Sequence, residues 1–395
     1  MSLSTPLPIL QLPESHLERV LKYANLIDVF DFSLCSPKCA ELVKKLLSDR
    51  SLFVEIDYPE TLHVTFQWVT RQRAPEPTSA PVPGLRDTSN NYKWHFLPES
   101  QETRGLKLLR QRVREANQGN YWTSRYSSGR RAVKHPAPHF AIRTLDGFPI
   151  RMIGSPNTLT VYGGDREKSM CAVIRHLAKL FVCQTQLEIH PYADLTPLID
   201  LPADFRRGVQ RIEVNDGSSF EEDRASGRPM FASDFMARII DNFPTEHLEI
   251  NLAYVEVTPR IRFTRKLQYE TLILLMDVRG RDLLKIDSED VEICGVAISE
   301  KDLNAFLKRW LNGKTGRIRE ARIKEIAEET SWSMEQVLSG ITQYRGEQKR
   351  YADELGIEIE RNDGVRATIW PEDSFARMLQ FTAHYPEDTG VESDE

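Results

Sequence analysis

Three short stretches near the N-terminus repeat apolar residues at helical spacing. Leu17, Val20 and Leu21 make the first stripe. Leu26, Val29, Phe30, Ser33 and Leu34 make the second, and Cys39, Leu42, Val43 and Leu46 the third. Leu12-Pro13 opens the first, because a proline suits the first turn of a helix, where its missing N–H has no bond to lose. Ser36-Pro37 opens the third, with Ser36 as N-cap and Pro37 at the first helical position. Helices of about ten residues are marginal alone, since nucleation is costly. The apolar supply (Leu12, Leu17, Leu21, Leu26, Phe30, Phe32, Leu34 and Leu42) exceeds what so small a unit buries internally. The surplus is either an exposed patch of the kind that marks a protein interface or a face packed on the rest of the chain. Periodicity leaves both open.

Past residue 50 the period shortens to two. Phe53–Asp57 and Leu62–Trp68 alternate as strands do. The sequence RQRAPEPTSAPVPG from Arg71 is rich in Pro, Ala and Ser and reads as a loop. The polar character persists to about Pro138, apart from a short amphipathic helix predicted over Leu106, Leu109 and Val113, so 70–138 is read as a largely disordered insert. Segments 51–69 and 139–166 form a β-rich connector around it. From residue 167 strands and helices alternate. The predicted order is a helix through Met170–Phe181, strands at Leu187–His190 and Arg211–Val214, a helix at Phe235–Ile240, and a strand at His247–Asn251. An apolar run at Thr271–Leu275, a strand at Val291–Ile293, a helix at Asp302–Leu311 and a strand at Ala321–Ile323 follow. This pattern predicts a parallel sheet with helices outside it, either a leucine-rich-repeat-like arc of irregular period or an ordinary α/β domain. Ile357–Arg361 and Val365–Trp370 flank Asn362-Asp363-Gly364 and predict a β-hairpin, with Ala376–Phe381 as a third strand of a small cap. The acidic end, 386–395, is read as a disordered tail.

Composition narrows the class. The 395 residues are 40% hydrophobic and 28% charged with a net charge of −6, an ordinary globular balance and not that of a wholly nucleic-acid-binding protein. No apolar run approaches the roughly 20 residues of a membrane span, and the first residues lack the features of a signal peptide. Five scattered cysteines predict a reducing compartment, cytoplasm or nucleus, and no disulfide framework. The segment 104–134 is locally basic, with Arg104, Lys107, Arg110, Arg112, Arg114, Arg125, Arg130, Arg131 and Lys134 against Glu115, and with Tyr121, Trp122 and Tyr126 interleaved. That mix can hold nucleic acid, although a solvated loop is the commoner outcome. Cys35/Cys39 and His135/His139 are incomplete as metal sets, Gly163-Gly164-Asp165 lacks the Lys-Ser/Thr of a phosphate loop, and no nucleophile elbow or zinc-protease motif occurs. Catalytic residues, cofactor and metal are therefore all predicted as none.

The stretch Leu7–Leu47 resembles an F-box in its Leu12-Pro13 opening, its Leu-rich helix, its Phe32-Ser33-Leu34-Cys35-Ser36 segment and the basic Lys38 beyond. It departs from the family near Ala40, where most F-boxes carry an aromatic residue. The stretch Ile298–Gly313 resembles the nematode F-box-associated domain, whose pattern is (S/T)-x-x-D-L-N-x-F-L-K-x-W-x-x-G. The resemblance implies an F-box at 6–50 and an F-box-associated α/β domain at 167–385. It further implies a non-catalytic substrate receptor that binds an Skp-family adaptor of a cullin–RING ubiquitin ligase and an unknown protein target. The adaptor-binding residues implied are Leu12, Pro13, Leu17, Val20, Leu21, Leu26, Val29, Phe30, Phe32, Ser33, Leu34 and Ser36. The alternative is a scaffold acting through 104–134.

Overall fold

The computed structural model describes residues 9–58, 62–70, 91–98, 139–145, 147–155, 158–190, 193–215, 235–252, 263, 265–276, 278–295, 298–325, 332–342, 344–351, 354–372 and 377–385. The chain divides into two compact units: residues 1–187 with 196–208, and residues 188–195 with 209–395.

The first unit begins with α1 (Glu14–Tyr23), α2 (Leu26–Leu34) and α3 (Pro37–Leu46). Pro13 stands one position before the predicted place, as N-cap, and its carbonyl accepts from the N–H groups of His16 and Leu17. Asn25 caps α2: its Oδ1 accepts from the Asp28 N–H at 2.9 Å and its amide donates to the Asp28 carboxylate at 2.6 Å. Ser36 caps α3 with Pro37 in the first turn, as its sequence predicts, and its hydroxyl accepts from the Cys39 N–H at 3.2 Å. Such caps satisfy N–H groups that a helix start leaves orphaned.

The helices share this unit with strands β1 (Arg50–Tyr58), β2 (His63–Thr70), β3 (Asn91–Pro98), β4 (His139–Leu145), β5 (Phe148–Ser155) and β6 (Thr158–Gly163). Their order is β1-β2-β3-β6-β5-β4, antiparallel except for the parallel β3–β6 pair. Register builds the core: Val54 faces Phe66, which faces Tyr92, and Ile56 faces Val64, which faces Trp94 and then Leu159. All are essentially buried. The helix α4 (Arg166–Leu180), capped by Asp165, lies against β3, β4, β5, β6 and α3. β7 (Val182–Ile189) runs beside β1, and the short helices α5 (Thr196–Ile199) and α6 (Ala203–Arg207) complete the unit.

Strand β3, between β2 and β6, lies within the segment 70–138 that the sequence reads as a largely disordered insert. Its alternation was legible: Tyr92, Trp94 and Phe96 are buried, while Lys93 and His95 face the other side. The polar, proline-rich surroundings mask this period-two signal. The helix expected around Leu106–Val113 and the basic run 104–134 lie outside the described residues, as does the tail 386–395.

The second unit carries parallel strands β8 (Val209–Asn215), β9 (His247–Asn251), β10 (Thr271–Leu275), β11 (Asp290–Gly295) and β12 (Glu320–Glu325). Helices α7 (Phe235–Asn242), α8 (Gly280–Leu283) and α9 (Glu300–Leu311) lie between them in sequence, and α10 (Met334–Val337) follows β12. One face of each strand is buried: Ile212, Leu248, Leu272, Val291 and Ala321 lie on one register line, and Val214, Ile250, Leu274, Ile293 and Ile323 on the next. Positions on one line, 211, 247, 271, 290 and 320, advance by unequal steps. The architecture is thus a mixed sheet with helices, without a fixed repeat length. β16 (Arg377–His384) pairs antiparallel with β12, followed outward by β15 (Arg366–Glu372), β14 (Glu354–Glu360) and β13 (Tyr344–Tyr351). β14 and β15 form the hairpin expected around Asn362-Asp363-Gly364, and Gly364 takes the positive φ of 88° that its turn needs.

Candidate docking surface

Catalysis or metal binding needs nucleophiles or ligands that converge. Among the described residues no group of three or more His, Cys, Asp or Glu side chains is placed to hold a metal. The thiols of Cys171 and Cys183 are pushed up to about 12 by burial, away from the thiolate that nucleophilic work needs. Ser33 and His176 stand like a nucleophile and its base, with Oγ and Nε2 at 2.7 Å. However, Ser33 is only 3% exposed, and its hydroxyl donates to the Phe30 carbonyl at 2.6 Å. The pair is a tether inside the first unit.

The more informative feature is the outward side of α1. Leu17 and Leu21 turn inward and are buried. Residues four and seven positions on from His16 share its side of a helix, so His16, Val20 and Tyr23 form a separate line. Val20 is 44% and Tyr23 86% exposed, and Leu10 on the preceding 3₁₀ turn (Ile9–Gln11) is 51% exposed. With Leu12, Arg19, Ala24 and Asp28 the line walls an open, largely apolar groove of about 710 Å³. Large apolar side chains grouped in this way on a short amphipathic helix suit a partner's apolar surface.

The twelve residues nominated from sequence divide sharply in this structure. Leu12, Pro13 and Val20 lie at or beside the groove. Phe32, Leu34 and Ser36 are half-buried, and Ser36 serves as a helix cap. Leu17, Leu21, Leu26, Val29, Phe30 and Ser33 are buried, so they shape the surface from beneath instead of lining it. Phe30 shows why: its ring meets Trp94 and His176 edge-on, each at 5.3 Å. Leu10, His16, Arg19 and Tyr23 were missed. The signal for His16 and Tyr23 was the second helical line, 16-20-23, which the Leu-based stripe hides; Leu10 precedes the helix and Arg19 lies off that line.

The distant stretch Ile298–Gly313 folds as α9 and its two ends. The Ser299 hydroxyl accepts from the Asp302 N–H, and the Asp302 carboxylate accepts from the Ser299 N–H at 3.0 Å, a reciprocal capping box. Leu303, Phe306, Leu307, Trp310 and Leu311 are buried, with Trp310 edge-on to Phe381 at 5.1 Å. The Asn304 amide donates to the Val337 and Ser339 carbonyls at 2.6 and 2.9 Å, tying α9 to α10. At the far end Gly313 has φ 68°; its N–H donates to the Trp310 carbonyl and the Lys314 N–H to that of Arg309. Those two bonds make a Schellman terminus. The signature residues therefore start, bury, tether and stop one helix, and none of these roles needs a ligand.

Two family models match the chain. One, for the F-box domain, covers residues 9–51. The other, for an F-box associated domain, covers residues 260–323. The first range holds α1, α2 and α3 with the start of β1, and the second holds β10, α8, β11, α9 and much of β12. The order agrees with the F-box plus type 2 F-box-associated architecture that the sequence resembles. No curated protein and no solved structure matches the chain significantly.

Proposed function

We propose that this chain is the substrate-recognition subunit of an Skp–cullin–F-box ubiquitin ligase. The F-box in the first unit takes an Skp-family adaptor on the Leu12–Val20–Tyr23 side of α1. The second unit presents a protein target, and the chain performs no chemistry itself. Holding adaptor and target on one chain raises the target's effective concentration at the ligase. The observation that carries this reading is the coincidence of the F-box match, 9–51, with the exposed apolar side of α1. The setting we assign is cytoplasmic or nuclear, in keeping with five cysteines none of which is disulfide-bonded.

The test is co-purification of the full chain with a recombinant Skp-family adaptor. Wild type is expected to retain the adaptor, and Val20→Glu with Tyr23→Glu to lose it while the chain stays folded. A wild-type chain that retains no adaptor, or a double variant that retains it fully, sinks the proposal.

A further inference from the structure

The groove beside α1 has one wall on α2, through Asp28. Only Ala24 and the capping Asn25 separate the two helices, so a shift of α2 must alter the groove. Within residues 9–51 α2 packs on α3, and it is also held from outside that range. On its inner side, Ser33 meets His176 of α4 at 2.7 Å, and the His176 ring packs edge-on against Phe30 at 5.3 Å. Beside them Asp31 takes a two-pronged grip from Arg143 of β4, whose Nε and Nη2 approach its carboxylate oxygens at 3.0 and 2.9 Å.

The protons at Ser33 identify what His176 must supply. A hydroxyl carries one donor. It is directed to the Phe30 carbonyl at 2.6 Å, so the 2.7 Å contact requires a proton on Nε2 of His176. A side chain that places an N–H at the Nε2 position satisfies Ser33, and one that reaches only as far as Nδ1 does not.

We propose that His176, through its Nε2–H to Ser33, is a positioning residue for adaptor docking: it fixes α2 and thereby preorganises the groove on the F-box surface. This rests on the adaptor reading above. A preformed groove binds more tightly than one that must be ordered on contact.

The experiment measures the affinity of the full chain for a recombinant Skp-family adaptor in wild type, His176→Asn, His176→Gln and Ser33→Ala, with amide hydrogen exchange of α2 in each. The Asn and Ala variants are expected to bind roughly three- to tenfold more weakly, the range set by one lost internal hydrogen bond. Their α2 amides should exchange faster, while those of α9 keep their protection. His176→Gln, whose Nε2–H reaches Ser33, is expected to restore both readouts. If wild type binds and the Asn and Ala variants bind equally well, the inference falls and the docking reading stands. If Gln fails to restore affinity, His176 acts through bulk packing and the inference also falls. If wild type does not bind, both fall together.

Discussion

Gly280 and Asp302 approach so closely that a side chain at position 280 has no room: a Cβ on Gly280 would lie 1.7 Å from Cγ of Asp302. The carboxylate is not free to yield, because it accepts from both the N–H and the hydroxyl of Ser299, at 3.0 and 2.6 Å. The N-terminus of α9 is thus seated against the start of α8 by a glycine on one side and a capping carboxylate on the other.

Gly280→Ala is therefore expected to destabilise the second unit by about 1–3 kcal/mol, the usual cost of overpacking a tight contact. Asp302→Ala alone loses the carboxylate half of the capping box. The double variant should be less destabilised than the two single effects combined, because removing the carboxylate relieves the clash. Denaturant unfolding of the four proteins checks this, and strict additivity contradicts it.

The F-box surface and its core should respond oppositely to substitution. Val20→Glu with Tyr23→Glu changes exposed positions and is expected to leave the melting temperature nearly unchanged while abolishing adaptor retention. Phe30→Ala empties a buried site between Trp94 and His176 and is expected to cost about 3–5 kcal/mol of stability. Thermal melts and adaptor pull-downs on the same samples separate the two effects. Loss of binding in Phe30→Ala on its own is accordingly no evidence of direct contact.

Acidification should weaken each unit through one histidine. Burial holds His95 of β3 below the usual imidazole value of 6.5, helped by the charges of Lys93 and His63. Burial likewise lowers His247 of β9, with Arg211 adding to it against Glu249. A histidine depressed in the fold takes up its proton more readily in the unfolded chain, so stability declines as pH falls from about 6.5 through the folded value. Unfolding free energies between pH 8 and pH 5 should fall on the acid side, and His95→Gln or His247→Gln should flatten the slope. An unchanged slope in both variants rules this out.

Thiol chemistry gives a map of burial. Cys35 is exposed, whereas Cys171 and Cys183 are buried and pushed up to about 12. Brief alkylation of the native chain near neutral pH should label Cys35 and spare Cys171 and Cys183 until denaturant is added. Mass-spectrometric peptide mapping reads this directly, and early modification of Cys171 or Cys183 would contradict their placement.

Local signals in the sequence were sufficient for the start of one helix and for one turn. Ser36-Pro37 starts α3 and Asn362-Asp363-Gly364 turns the hairpin, because each involves bonds among residues a few positions apart. The apolar lines of α1 and α2 were legible for the same reason. What covers those lines was not. A period of 3.6 says that a stripe exists, and the stripe of α2 meets Trp94, some sixty positions on, and His176, beyond it again. Only the folded chain decides that Phe30 and Ser33 are interior, that Val20 and Tyr23 remain outside, and that β3 runs parallel to β6 across the intervening sequence. Those outcomes depend on pairings between residues far apart in sequence, which local spacing does not encode.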